Sequence, residues 1–288
     1  MEEFFDIFID ALLDACKDTL IIIPFLFITY VAMEWLEHKT SDKTTAAVRR
    51  AGVAGPAVGA LLGMLPQCGF SAAASTFYAG RVITMGTLIA IFLSTSDEML
   101  PIMISEAVNP MLIGSILLVK VVCGIIVGFI VDIVYRVVTK HDEPDVDIHH
   151  FCEHEHCHCG HGIIKPALRH TIQIAFFILI ISIILNIVIG LVGIDSISNS
   201  VFSIPVVGEL IAGLIGLIPN CAASVVITEL YVSGAINFGT MIAGLLVGAG
   251  VGVLVLFRVN ESIKENLVIL SVLYFSGVIL GILINLIL

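Results

Sequence analysis

The sequence predicts an all-α integral membrane protein of about ten helices, in two inverted five-helix repeats that each contain a proline-broken hairpin. Three observations predict it. Of 288 residues, 58% are hydrophobic and 13% charged, with a mean hydropathy of +1.10, whereas an ordinary soluble domain carries about 25% charged residues. Two apolar segments, 51–80 and 204–233, are each interrupted near the middle, by Pro66-Gln67-Cys68-Gly69 and by Pro219-Asn220-Cys221. Those two segments also share one register. The composition excludes a water-soluble enzyme, a disordered chain, a disulfide-stapled secreted domain and a nucleic-acid binder, which would need a basic face.

The N-terminal run MEEFFDIFIDALLDACKD is acidic where a secretory signal is basic, so no cleavable signal is expected and the N-terminus is expected outside. Stretches of the roughly 20 apolar residues that a span needs fall at 17–36, 83–104, 110–136, 170–193, 236–257 and 266–287. The flanks of each proline break are shorter, so 51–80 and 204–233 read as helix–break–helix hairpins that either re-enter or span thinly. With the N-terminus outside, Lys39, Lys43, Arg49, Arg50, Arg81, Arg136, Lys140, Lys165, Arg169, Arg258 and Lys264 all face the cytoplasm. Only Lys17 and Lys120 of the 13 basic residues fall elsewhere, which is the positive-inside pattern. Both termini are then outside, and the loop between the halves is cytoplasmic. The division is 1–136 as first membrane repeat, 137–169 as a His/Cys-rich loop and 170–288 as second membrane repeat.

The halves align without a gap. Sliding the chain by 153 positions, which sets Pro66 on Pro219, brings PQCGFSAAASTFYAGRVITMGTLIA onto PNCAASVVITELYVSGAINFGTMIA with nine of 25 positions identical. The register continues to Gly124/Gly277, Gly128/Gly281 and Asp132/Asn285. Each half crosses an odd number of times, so the second is inverted. Paired broken helices in inverted repeats point to a secondary transporter with its site near the midplane.

Irregular backbone at membrane depth is tolerated where it is buried in protein or lines a wet cavity. The two tips are therefore expected to meet at one. Gln67 and Asn220 offer amide oxygens there, Cys68 and Cys221 thiols, and Ser71 and Ser224 hydroxyls a turn further on. Ser94-Thr95-Ser96-Asp97-Glu98 adds two carboxylates inside an apolar span, where an acidic residue costs about 2.5–3.5 kcal/mol and is functional by default. Both can serve one site only if the helix unwinds locally, as Pro101 and the hydroxyl run allow. Lys120, near the middle of its span, is either an ion-pair partner of Asp97 or Glu98, a gate that replaces a departed cation, or a holder of an anion. Glu209 and Glu229 are expected at the membrane interface.

The loop between the halves concentrates His149, His150, Cys152, His154, His156, Cys157, His158, Cys159 and His161. Imidazole and thiolate are ligands for Zn²⁺, Cu⁺ or Ni²⁺. Their irregular spacing suits a flexible binder that gathers or senses a transition-metal ion in the reducing cytoplasm. Transport itself is expected to need no cofactor.

At PQCGFSAAASTFYAGR, STSDEMLP and PNCAAS the chain resembles the bacterial ten-span heavy-metal exporters, labelled manganese transporters or arsenic efflux proteins. The resemblance covers nearly the whole chain, the His-rich loop included. It implies an exporter in a bacterial plasma membrane, with Gln67, Cys68, Asp97, Glu98, Asn220 and Cys221 as motif positions. Manganese(II) prefers oxygen ligands, whereas the two cysteines suit a softer ion such as zinc, cadmium or trivalent arsenic.

The leading expectation is a carrier, not an enzyme, that exports a divalent or soft metal ion by alternating access. No phosphate-binding P-loop is present, so a proton or sodium gradient would drive it. The expected partners are the metal ion, the lipid bilayer and a second copy of the chain, with no nucleic acid. The alternative cargo is an anion such as phosphate, an arsenical or an organic acid, favoured by Lys120 and by helix N-termini at the tips.

Overall fold

The computed structural model describes residues 2–39, 54–64, 68–96, 99–139, 164–192 and 206–287. Among them the chain forms helices joined by short turns and no strand. In order these are α1 (Glu2–Lys39), α2 (Gly55–Gly63), α3 (Cys68–Ala79), α4 (Met85–Ser94), α5 (Met99–Ser105) and α6 (Pro110–Thr139). The second half supplies α7 (Ile164–Val192), α8 (Val207–Gly216), α9 (Cys221–Val232), α10 (Phe238–Val247), α11 (Val251–Val259) and α12 (Ile263–Ile287). Counting α4–α5 and α10–α11 as one broken helix each gives ten. Among the described residues five stretches are long and apolar enough to cross a membrane: Met85–Ser105, Pro110–Val138, Ala167–Ile184, Phe238–Val259 and Ile263–Ile287.

The span expected at 236–257 is not continuous. It breaks at Gly248-Ala249-Gly250, where Gly250 takes φ +52°, a left-handed backbone open to glycine without strain. The span expected at 83–104 ends its first helix at Ser94, and Thr95 turns to ψ 132°. α1 instead runs unbroken through Pro24 and extends past the expected 17–36 at both ends. α6 reaches Thr139 and α7 starts at Ile164, so helix occupies both margins of the segment read as loop 137–169. The arms of the two hairpins, α2, α3, α8 and α9, hold 9, 12, 10 and 12 residues. At 1.5 Å per residue they reach only about 14–18 Å, against roughly 30 Å of hydrocarbon. Such arms re-enter.

α4 is buried along its whole length and α10 from Gly239 to Val247, as befits helices apolar all round. Both start at caps. Thr84 Oγ1 accepts from Thr87 N at 3.0 Å, and Asn237 Oδ1 accepts from Thr240 N at 2.8 Å. α6 lies on α4, and α12 on α10, by close glycine contacts. A Cβ added to Gly128 would sit 2.6 Å from Gly86 O, and one on Gly281 2.7 Å from Gly239 O. Gly124 and Gly277 approach Ala90 O and Ala243 O in the same way. All four pairs, and the two caps, are related by the 153-residue shift.

The halves also exchange partners. α3 packs on α11, where Ser75 Oγ donates to Gly252 O at 2.7 Å, and α9 packs on α5. α1 and α7, themselves counterparts under the shift, lie side by side, with Tyr30 stacked on His170 at 5.4 Å. At one end Arg81 donates to both Glu265 oxygens, at 3.0 and 3.2 Å, and Tyr78 adds a third bond at 3.1 Å. The outward faces of α6 and α12 expose Leu118, Ile126, Ile133, Phe275, Ile279 and Leu283. Water would not tolerate so continuous an apolar surface, and lipid would. The chain is a multi-pass membrane protein.

Gly128→Ala should destabilise the detergent-solubilised protein by about 1–3 kcal/mol, the usual cost of overpacking, read as a lower Tm. Gly114→Ala, where an added Cβ meets nothing within 4 Å, should leave Tm unchanged or raise it.

Candidate substrate cavity

A helix that stops inside a protein leaves its last carbonyls without intrahelical donors and carries partial negative charge there. α4 and α10 both stop this way, and the structure brings their ends to one side chain. Lys120, on α6, is 1% exposed. Its Nζ donates to Thr95 O in a short hydrogen bond and to Leu245 O at 2.9 Å. An ammonium at this depth is costly, and two helix C-termini give it polar partners.

The lysine borders a cavity of about 20 Å³, room for about one water-sized body. Its walls include Thr95, Ser96, Met99, Asn220, Cys221 and Ser224, with Leu245, Gly248 and Gly250 from the second break. Thr95 Oγ1 donates to Ile91 O at 2.8 Å, Ser96 Oγ to Ser94 O at 3.1 Å and Ser224 Oγ to Cys221 O at 2.8 Å. Each hydroxyl gives its proton to nearby backbone, which leaves its oxygen lone pairs as acceptors. Asn220 is the N-cap of α9, accepting from Ala222 N at 3.4 Å. Its Nδ2 donates to Asn186 Oδ1 of α7, and Asn186 in turn donates to Ala11 O of α1 at 3.4 Å. The second tip is thereby tied to the pair α1–α7. Met99 and Cys221 bring sulfur, a soft donor.

Of the residues singled out from sequence, Thr95, Ser96, Lys120, Asn220, Cys221 and Ser224 thus come together. Ser94 and Ser71 do not join them. Ser94 Oγ donates to Ile91 O at 3.0 Å and fills the space beside Gly63, and Ser71 packs against Gly252. The counterpart of that contact under the 153 shift is Ser224 with Met99, two walls of the cavity. Ser71 is therefore held in a packed contact where Ser224 borders a cavity. Cys68 begins α3, but its side chain lies outside the described residues. So do Gln67, Asp97 and Glu98, and His149, His150, Cys152, His154, His156, Cys157, His158, Cys159 and His161 of the loop. Among the described residues no three His, Cys, Asp or Glu side chains gather as a metal site.

Sequence reasoning missed Met99, Leu245 and the glycines of the second break. Gly248-Ala249-Gly250 was a legible signal, two poor helix formers within three residues, masked by the apolar run around it. Glu209, expected with Glu229 at the membrane interface, is 1% exposed and packed within the protein; Glu229 is exposed.

This frame of broken helices and tips is that of a transporter. A family model described as "Putative, 10TM heavy-metal exporter" matches residues 3–209 and 199–288. The chain belongs to that family. A search of curated proteins and a search of solved structures each gave no match.

Asn220→Ala should cost about 0.5–2 kcal/mol, the worth of an N-cap, as a lower Tm in detergent. Asn220→Ser keeps a capping hydroxyl and should recover most of that loss.

Proposed function

We propose that the protein is a secondary exporter that moves a divalent or soft heavy-metal ion out of the cell by alternating access, with the cavity at Lys120 as its substrate site. The observation that carries this reading is the ammonium itself. Lys120 Nζ sits on helix-end carbonyls of both halves, a seat that suits any cation. In the resting protein the lysine holds that seat. A metal ion entering the cavity displaces it and takes up oxygen from Thr95, Ser96, Asn220 and Ser224 and sulfur from Cys221 and Met99.

Asp97 and Glu98 follow Ser96 directly in the chain and supply the negative charge that a divalent ion requires. Gln67 and Cys68 complete the first tip when the carrier opens to the other side. Inverted orientation of the two halves supports this exchange. The caps and glycine contacts recur at one offset, so each half can adopt the packing its counterpart has now. The Arg81–Glu265 pair joins the halves at the end assigned to the cytoplasm by the basic residues, and its opening would admit the metal. The His/Cys loop lies on that same side and gathers the ion before export. A manganese-like ion fits the oxygens; the two sulfurs extend the range to zinc, cadmium or arsenite. On this reading the protein needs no cofactor and catalyses no covalent step.

In proteoliposomes, Asp97→Asn and Glu98→Gln should each slow metal flux about tenfold, which corresponds to losing one charge-assisted contact of about 1.5 kcal/mol. Wild-type flux in both variants would remove the carboxylates from the site. One observation favours an anion as cargo instead, namely Lys120 facing the N-terminus of α9 across the cavity. Lys120→Met separates the two: metal exchange should persist with weakened directionality, whereas anion transport should vanish. A flux panel of manganese, zinc, cadmium, arsenite and phosphate reads both outcomes.

A further inference from the structure

Both halves bury a carboxylate beside the N-terminus of their central helix, and the two are treated differently. Asp132, on α6, is satisfied on both oxygens. Oδ1 accepts from Gly86 N and Oδ2 from Thr84 Oγ1, each at 2.8 Å. Its counterpart under the repeat is Asn285, and the second half restores the carboxylate from another helix, as Glu209 in the first turn of α8. Glu209 Oε1 accepts from Asn285 Nδ2 at 3.0 Å and Thr240 Oγ1 at 3.3 Å. Oε2 is buried with no hydrogen-bond partner among the described residues. Apart from Thr19 Oγ1, no other buried side-chain oxygen or nitrogen among them is left this way.

Among the described residues, the elements packed on α8 offer no charge that offsets one on that oxygen. α10 has no ionisable side chain, and α8 has none besides Glu209. α9 contributes Cys221, the exposed Glu229 and Tyr231, and its outward-facing carboxylate could only repel. On α12, Tyr274 donates to Leu210 O at 3.3 Å, while Lys264 and Glu265 lie at the opposite end of the helix from Asn285. A buried carboxylate oxygen with neither donor nor counter-charge is a place for a cation. The space is a hydrogen-bonded niche among small residues, and Val206, Val207 and Asn237 within a turn of it are exposed. That face is the one nearest to it.

We propose that Glu209 is the proton-carrying residue of this transporter: Oε2 takes up a proton from the face where α8 and α10 begin, and releases it when the carrier reorients. Thr240 and Asn285 hold Oε1, so that the proton always exchanges at the other oxygen. Asp132 keeps the matching structural position in the first half, with both oxygens hydrogen-bonded. The proposal rests on the exporter reading above and identifies its coupling ion and the residue that binds it.

Two readouts on the full-length protein in liposomes test it. The infrared difference spectrum between acid and alkaline protein should contain a protonated-carboxyl band that Glu209→Gln abolishes, that Glu209→Asp shifts, and that Glu229→Gln leaves in place. Metal efflux driven by an inward proton gradient should be lost in Glu209→Gln and retained in Glu229→Gln. A carboxyl band unchanged in Glu209→Gln overturns the proposal, even if efflux falls, because the residue is then only structural. A band that responds to sodium at constant pH also overturns it. A band assigned to Glu209 in a protein that moves no metal upholds the proton site and overturns the exporter reading.

Discussion

A helix that ends within hydrocarbon must give its terminal carbonyls a partner, because the surrounding lipid supplies none. In this protein two central helices end at membrane depth, and one lysine from a third helix answers both. Lys120 is bound at the same time by the C-terminal end of α4 and by that of α10. The two halves are therefore coupled through one positive charge at the place where both lose regular structure. Whatever replaces that charge bears on both halves together, which is the physical requirement for a carrier whose two sides open in turn.

Around this joint the scaffold is repeated while the chemistry is not. Glycine contacts at Gly124 and Gly128 recur at Gly277 and Gly281, and the cap at Thr84 recurs at Asn237. These positions set helix spacing, and small residues are how membrane helices come close. Lys120, however, has Leu273 as its counterpart, Arg81 has Gly234, and Glu209 has Pro56. At these three positions charge is placed once, on a frame built twice. The result is a cavity at Ser224 and a packed contact at Ser71, and an interhalf clamp of Tyr78, Arg81 and Glu265.

The cavity's donor set is mixed in hardness. Hydroxyls whose protons are already given to backbone act as oxygen ligands, and Cys221 and Met99 stand among them. On the proposed reading such a set would take several metal ions without a strong geometric demand, as an exporter that must release its cargo requires. Tight, closed coordination would hold the ion in place.

Much of this was legible without coordinates. Composition alone places the chain in a bilayer, and the repeat is visible because a proline, a cysteine and a serine recur at one spacing through two breaks. Lys120 and the hydroxyls at 95 and 96 stood out because polar groups in an apolar span have few neutral explanations. The second mid-span break did not stand out, since Gly248-Ala249-Gly250 carries no polar signal, and a glycine's φ of +52° is a property of its packing. Nor could residue order reveal that Ser71 and Ser224, equivalent by repeat, face a closed contact and an open cavity. The burial of Glu209 was hidden for the same reason: depth along a helix can be counted, but which face meets protein depends on the helices opposite. Local pattern set the spans, the breaks rich in polar residues and the twofold frame. Only tertiary packing decided which of two like positions is filled and which is left open to a ligand, because that depends on side chains more than a hundred residues away.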